Sequence, residues 1–191
     1  MSTIKEKQNK VFETFKEEFG YKNTMQAPRL EKVVLSVGMG SSSGDKNKVE
    51  IIQDRLAKIT GQKAAVRKAK KSVAGFKVRE GENVGYQVTL RGERMFGFLD
   101  KLIDVAFPRT KDFRGLSLGS IDEMGNATLG IKEHIIFPET SDEEIRNVFG
   151  MAVTIVTTAK NKKEAVAFLR HLGFPFKKVE EVKKKKKVLK K

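Results

Sequence analysis

The sequence predicts an α+β fold, with a mainly antiparallel sheet and helices packed on one face, in a single domain over residues 1–178. Helix-like and strand-like patterns follow one another without a regular βα repeat, in the order αβα, ββ, α, β, α, β, α. Charged residues make up 33% of the 191, which indicates a core beneath an unusually polar surface. Residues 179–191 are rich in lysine and are predicted to be disordered without a partner.

The first elements are predicted from a capping pattern and apolar periodicity. Thr3 and Glu6 form a capping box, and an apolar helical face then continues to Gly20. A β-branched run predicts a strand over 29–37, and a helical period follows over 49–61.

Alternation and helix breakers define the remaining elements. Val84, Tyr86, Val88 and Leu90 alternate with polar residues, which predicts a half-buried strand after a basic loop, with a second strand-like run before that loop. The later elements are a helix over 93–107 ended by Pro108, strand regions at 129–137 and 151–158, a short helix starting at 141–144, and a helix over 162–172 closed by Gly173.

The segment Gly38–Gly44 lies between a strand and a helix, where phosphate-binding loops lie, with Asp45 as the predicted N-cap. Only three residues separate Gly40 from Gly44, and Asp45 interrupts the Gly-Lys pair that a Walker A loop requires. The dinucleotide-binding fingerprint also fails, because Ser43 occupies its third glycine position. A flexible connection is therefore favoured, and a nucleotide-using enzyme remains an alternative.

No catalytic or metal-binding motif emerges from the remaining candidates. His134 and His171 belong to no known motif and are predicted to decorate a strand and a helix end. Residues 122–126 lack the alternating oxygens of a calcium loop and are predicted to form a turn. We expect no enzyme activity, no cofactor, no metal and no small-molecule substrate.

The absence of cysteine is consistent with a reducing compartment, and the chain contains no apolar run long enough to cross a bilayer. We therefore expect a cytoplasmic protein without a membrane partner.

Positive charge is concentrated in two segments. Residues 63–79 and 177–191 each carry a net charge of +7, which leaves +1 of the total +15 for the rest of the chain. Charge placed in this way indicates a polyanion partner, and a nucleic acid is the expected one. A generic nucleic-acid-binding protein is an open alternative to any more specific role.

The first basic segment surrounds an Ala-Gly-Phe insert, which is unusual for a solubilising surface. Cations can neutralise phosphates, a glycine allows close approach of the backbone, and a phenylalanine can stack on a base. The candidate contact residues of this loop are Lys70, Lys71, Ser72, Gly75, Phe76, Lys77 and Arg79.

A second cluster of cations around one phenylalanine follows the helix over 93–107. Its candidate contact residues are Arg109, Lys111, Asp112, Phe113 and Arg114. The alternative is a helix-terminating turn in which Phe113 is buried.

Several blocks closely resemble the family of the bacterial large-subunit ribosomal protein five. They are KKSVAGFKVREG at 70–81, VTLRGERM at 88–95, PRTKDFRGL at 108–116, LGIKE at 129–133 and IIFPE at 135–139. The resemblance is collinear and extends over residues 1–178.

This resemblance implies a structural protein of the cytoplasmic ribosome that binds 5S rRNA, attaches it to the central protuberance and touches the large-subunit rRNA. It implies contact with the P-site tRNA through the loop at 70–79, and an intersubunit bridge to small-subunit ribosomal protein thirteen through the loop at 109–114. Carried over by position, Gln62 and Thr89 are the implied 5S rRNA readers. The full predicted 5S rRNA set is Ser36, Gln62, Lys63, Thr89 and Arg91.

The chain departs from the family pattern at three places. Ser36 stands where asparagine is usual, and a hydroxyl lacks the paired donor and acceptor of an amide. The turn at 122–126 has one basic residue fewer than the family turn. The lysines at 183–191 lie beyond the pattern and are predicted to thread into rRNA, with a solubilising tail as the alternative.

Overall fold

A computed structural model describes residues 3–40, 46–111, 113–140 and 148–177, and within them five strands form one antiparallel sheet. The strands are β1 (Leu30–Gly38), β2 (Ala65–Lys68), β3 (Asn83–Leu90), β4 (Ala127–Ile131) and β5 (Met151–Thr157). They pair in the order β2–β3–β1–β5–β4, so that the long β1 strand is central. The predicted α+β class is confirmed.

Within the described residues, six α-helical segments accompany the sheet. They are α1 (Ile4–Asn9), α2 (Val11–Phe19), α3 (Lys46–Thr60), α4 (Gly92–Lys101), α5 (Phe107–Arg109) and α6 (Lys162–Leu172). Short 3₁₀ turns connect them, and no helix in the described ranges has the length and apolar composition needed to cross a membrane.

Burial alternates along the strands because successive side chains point to opposite faces. Leu35 in β1, Val88 in β3 and Val153 in β5 are almost completely buried against the helices. The neighbouring Ser36 is exposed, and Thr89 is half-buried. The helices therefore cover one face of the sheet, and polar side chains occupy the other, which we call the open face.

The predicted start at Thr3 and the glycine ends form as expected, but the helix predicted up to Gly20 is divided at Lys10 into α1 and α2. The Thr3 hydroxyl accepts a hydrogen bond from the Glu6 backbone N–H at 3.4 Å, which caps α1. Gly20 ends α2 and Gly173 ends α6, both in the left-handed conformation that glycine adopts without strain.

The predicted helix over 93–107 extends further than its sequence indicates. A π-helical segment (Leu102–Ala106) follows α4, and Pro108 lies within α5 instead of beyond the helix. The wider turn resets the hydrogen-bond pattern directly before the proline, and a proline in the first turn of a new segment needs no N–H donor. Pro108 consequently acts as an N-terminal residue of the last turn, and the helix ends at Arg109.

The expectation of a strand over 135–137 and of a strand-borne His134 is wrong. His134–Ile136 forms a 3₁₀ turn, and the imidazole is fully buried in a stack on Phe149 with a centroid distance of 4.1 Å. Its Nδ1 accepts the Phe149 backbone N–H at 3.3 Å. A short apolar run has no period that separates strand from turn, and packing against Phe149 decides the outcome here.

The predictions for His171 at a helix end and for a turn at 122–126 are confirmed. His171 lies in the last turn of α6 with Nε2 3.0 Å from the Lys7 carbonyl oxygen, and residues 122–126 form the expected turn, in which the Asn126 N–H donates to the Asp122 carboxylate at 2.7 Å. The predicted N-cap Asp45, the helix start at 141–144 and the tail at 179–191 lie outside the described residues.

Candidate nucleic-acid interface

The open face is polar at its β1–β3 side because of the strand register. Ser36 lies opposite Gln87, and Val34 lies opposite Thr89. Ser36, Gln87 and Thr89 therefore share one face, with Tyr86 and Val88 turned towards the core. Two of the predicted 5S rRNA residues are brought together here by strands that are about fifty residues apart in the chain.

Gln62 joins this face from the connection between α3 and β2. Its N–H lies 3.3 Å from the Thr60 hydroxyl oxygen, which itself donates to the Leu56 carbonyl at 2.7 Å, so the residue is tied to the end of α3. Its side-chain Nε2 donates to the Thr89 backbone carbonyl at 3.5 Å. A carboxamide has two N–H groups and a carbonyl oxygen, so this bond orients the side chain and leaves capacity for a ligand.

Lys63 and Arg91 border the same region. Lys63 follows Gln62 directly. Arg91 lies between β3 and α4 in an extended conformation. Both side chains are exposed. The structure thus gathers Ser36, Gln62, Lys63, Thr89 and Arg91 around one end of the open face. Their roles in RNA binding stay predictions.

Two further polar residues belong to this surface and were absent from the predicted site. The Arg67 guanidinium donates to the Gln87 side-chain carbonyl, in a pair that joins β2 to β3 on the open face. The available signal was the alternation of β3, which places Gln87 on the same face as Thr89. The contact of Gln87 with Arg67 could not be predicted from the sequence, because it depends on the register between β2 and β3.

The basic loop forms a narrow ribbon that continues the β2–β3 hairpin. Backbone bonds join Ala69 to Glu82 at 2.8 Å and Val73 to Val78 at 2.9 Å, and the Ser72 hydroxyl accepts the Glu80 N–H at 2.9 Å. We call residues 69–82 the basic ribbon. Its backbone is therefore ordered by its own hydrogen bonds, and Ser72 has a structural role in it.

The tip of the basic ribbon presents an aromatic ring to solvent. Phe76 is 81% exposed at the end of a 3₁₀ turn, and Lys77 follows in the left-handed conformation with φ of 53°. The side chains of Lys70, Lys71 and Arg79 are also exposed. An exposed ring among cations is the arrangement that can stack on a base while neutralising phosphates.

The loop after α5 is held by an aromatic stack. The Phe113 ring lies on Phe107 with a centroid distance of 5.1 Å and an interplanar angle of 12°, and it is half-buried. Arg109, Lys111 and Arg114 are exposed around it, and Asp112 lies outside the described residues. Phe113 thus anchors the loop, and the cations are the groups available to a partner.

Two tyrosines have shifted acidities with structural causes. Burial raises the pKa of Tyr86, with a smaller contribution from the Glu50 carboxylate. Burial also raises the pKa of Tyr21, whose hydroxyl donates to the Glu164 carboxylate. Both phenols therefore keep their protons to a higher pH than an unburied tyrosine does. In the described residues no group of three His, Asp or Glu side chains is placed to hold a metal ion.

Comparison with known proteins gives a consistent result over both halves of the chain. Residues 23–79 match the family described as ribosomal protein L5, and residues 83–176 match the model for the C-terminus of the same ribosomal protein family. The large ribosomal subunit protein uL5 of Trichlorobacter lovleyi is 51% identical over 169 residues, which are 88% of this chain and 94% of the relative. The uL5 proteins of Rubrobacter xylanophilus and Mycoplasma mycoides are 50% and 51% identical, cover 92% of this chain, and are themselves covered over 98% and 97%.

Proposed function

Because this chain belongs to the ribosomal protein L5 family and is a structural constituent of the large subunit of the cytoplasmic ribosome, we propose that its open face binds 5S rRNA. The observation that carries the proposal is the Gln62–Thr89 hydrogen bond, which joins the two implied readers on a polar face bordered by cations. Through this contact the protein attaches 5S rRNA to the central protuberance.

The geometry of the open face suits a folded RNA. Structured RNA is recognised mainly through phosphates, 2′-hydroxyls and exposed bases, and this face offers amide, hydroxyl and guanidinium groups side by side. Ser36 lies opposite Gln87 in this array, and its exposed hydroxyl takes the place of the amide that is usual in the family. We propose that Ser36 contacts the RNA through its one hydroxyl oxygen, where an asparagine would present a carbonyl oxygen and an NH₂ group on separate atoms.

The basic ribbon is proposed to contact the P-site tRNA. Its tip stands away from the sheet and bears Phe76 among exposed cations, so it can reach an RNA other than the one on the open face. This division assigns Lys70, Lys71, Ser72, Gly75, Phe76, Lys77 and Arg79 to tRNA.

The loop at 109–114 is proposed to form an intersubunit bridge with small-subunit ribosomal protein thirteen. The Phe107–Phe113 stack holds the loop in place, and the exposed Arg109, Lys111 and Arg114 are available to carboxylates of a partner. Asp112 completes the proposed bridge set.

The test is a binding titration of the purified protein against 5S rRNA and against an unrelated RNA of the same length, each at low and high salt. If the open face recognises the bases and the shape of the RNA, the protein should prefer 5S rRNA even at high salt. The preference should fall in Gln62→Ala, and a matched Gln53→Ala variant in α3 should retain it. Equal affinities that fall together with salt would contradict the proposal and favour a generic nucleic-acid-binding protein.

A further inference from the structure

The pair formed by Arg67 and Gln87 lies on the open face but has no part in the contacts proposed above. In the described part of the chain, β2 is the outermost strand on its side of the sheet and lies next to β3. Gln87 precedes Thr89 by two residues in β3, so roughly 7 Å separates their Cα atoms along the same face. The pair therefore continues the proposed 5S rRNA surface towards the β2 edge.

A glycine in β3 allows the Arg67 side chain to reach Gln87. Arg67 lies directly opposite Gly85, and Ala65 lies directly opposite Gln87, so the contact between Arg67 and Gln87 is diagonal. A Cβ at Gly85 would lie 2.5 Å from the Val37 carbonyl oxygen, so the close approach of β1 excludes a side chain there. The guanidinium consequently has no side chain opposite it and lies towards Gln87.

The hydrogen bonds within the pair leave donor groups available to a ligand. The Nε group and one Nη group of Arg67 both donate to the side-chain carbonyl oxygen of Gln87. Both lone pairs of that oxygen are thus engaged, and a guanidinium has no acceptor of its own. The pair offers the Gln87 NH₂ group and the remaining N–H groups of Arg67, so a ligand bound here must supply acceptor atoms.

The charge of Arg67 is also available. Its side chain is exposed, and among the described residues no carboxylate forms an ion pair with it. A guanidinium held in one orientation can bind two neighbouring acceptor atoms through parallel N–H bonds, whereas an ammonium acts as a point charge. Because Gln87 already restricts the Arg67 side chain, less side-chain entropy is lost when a ligand binds.

We infer that Arg67 is a further RNA-contacting residue of the 5S rRNA site and that Gln87 is its positioning residue. This inference rests on the proposed function and adds a contact beyond the residues assigned to 5S rRNA above. The guanidinium binds a pair of neighbouring acceptors, which in RNA are two oxygens of one phosphate or O6 and N7 of an unpaired guanine. The edge of an adenine is disfavoured, because its amino group requires an acceptor and the Gln87 carbonyl is already bonded to Arg67.

The test uses the full-length chain, and affinities for 5S rRNA and for an unrelated RNA of the same length are measured over a salt series. Arg67→Lys keeps the charge but removes the planar group, and Arg67→Gln removes the charge as well. Gln87→Leu removes the acceptor that holds the guanidinium. Arg170→Lys and Arg170→Gln are the matched controls, because Arg170 is an exposed arginine of α6, in the helical layer. Thermal denaturation measures the stability of each variant.

We expect both Arg67 variants to bind 5S rRNA roughly tenfold more weakly, whereas the Arg170 variants should change the affinity less than about twofold. Gln87→Leu should weaken binding by a smaller factor and leave the salt dependence unchanged, because the charge of Arg67 remains. Arg67→Gln should have a smaller effect in the Gln87→Leu background than in the unmodified protein, because the two residues act as one unit. A purely structural role of Gln87 would not produce this coupling.

The salt series and the second RNA identify the acceptor pair. If the acceptors belong to a phosphate, Arg67→Gln should lower the slope of log affinity against log salt by roughly 0.7–0.9 and weaken the binding of both RNAs. If they belong to a guanine, the same variant should leave the slope nearly unchanged and reduce the preference for 5S rRNA.

Three results would overturn the inference. An Arg67→Lys variant with the affinity of the unmodified protein would show that the planar group is not used. Additive effects of Arg67→Gln and Gln87→Leu would remove the positioning role of Gln87. A loss of affinity that follows a loss of folded protein would make the pair a structural link between β2 and β3.

The same measurements separate this inference from the proposed function. If the unmodified protein shows no preference for 5S rRNA, the proposed function fails. If the preference is present and falls in Gln62→Ala but not in the Arg67 variants, only the inference about Arg67 is contradicted.

Discussion

The side-chain amide of Gln62 donates to the backbone carbonyl of Thr89 at 3.5 Å, across 27 positions of the chain. This bond couples the end of α3 to the polar edge of β3, so the two implied RNA readers are positioned relative to each other before RNA arrives. Pre-organised contacts cost less entropy on binding than contacts that must first be ordered. The bond uses only the Thr89 backbone, and the alternation of β3 directs the Thr89 side chain to the open face.

The Thr89 hydroxyl is the first group to test. Thr89→Val should weaken 5S rRNA binding by about 1–3 kcal/mol, because a group of the RNA loses its partner, and should change the free energy of unfolding little. The bond from Gln62 is to the backbone and survives the substitution. The measurement is a titration combined with chemical denaturation.

Thr128→Val is the matched control for Thr89→Val, because Thr128 is exposed on the open face in the distant strand β4. It should leave 5S rRNA affinity unchanged. If Thr89→Val binds normally but unfolds at lower denaturant, Thr89 is a structural residue.

The basic ribbon is expected to serve tRNA and not 5S rRNA. The triple variant Lys70→Ala, Lys71→Ala, Lys77→Ala should reduce tRNA affinity at least tenfold while 5S rRNA affinity changes less than about twofold. The fold should tolerate it, because all three side chains are exposed. A large loss of 5S rRNA affinity would contradict this division of surfaces.

Gly115 is expected to be required for the contact between the loop after α5 and the C-terminal segment. Gly115→Ala should reduce the free energy of unfolding by about 1–3 kcal/mol, because the left-handed backbone is strained for alanine and its Cβ would meet the Lys177 nitrogen. Thermal or denaturant unfolding measures the change. Gly97→Ala is the control: this helical glycine has open space around it, so the substitution should stabilise by about 0.5–1 kcal/mol. If both substitutions changed the free energy of unfolding equally, Gly115 would not be required for this contact.

Tyr21 should make stability depend on alkaline pH. Burial and the bond to Glu164 raise its pKa above the ordinary value of 10.0, so the folded protein keeps the phenolic proton at a pH where the unfolded chain releases it. The resulting stabilisation is complete below about pH 10 and decreases above it, as the unfolded state binds fewer protons. Denaturation at pH 9 to 11 should show a steeper loss of stability in the natural protein than in Tyr21→Phe. If the stability of both proteins fell equally steeply with pH, the role of Tyr21 would be contradicted.

Elements with a local signal were predicted well. The last helix occupies Lys162–Leu172 and ends at Gly173, because its apolar period and its glycine cap lie in one short stretch. The alternation of β3 likewise placed Thr89 on a polar face. The run at 135–137 carried no such period, and its 3₁₀ turn results from burial of His134 against Phe149.

The sequence by itself determined the α+β class, the positions of its cationic segments and, through resemblance to a family, the identity of the expected RNA readers. Only the tertiary structure decided that Arg67 pairs with Gln87, that Phe113 stacks on Phe107, and that the Lys177 backbone bonds to Leu116. Periods, caps and charge are properties of neighbouring residues and can be seen in the chain. Strand register and the docking of loops depend on segments distant in sequence, whose packing selects one arrangement from many with the same local pattern.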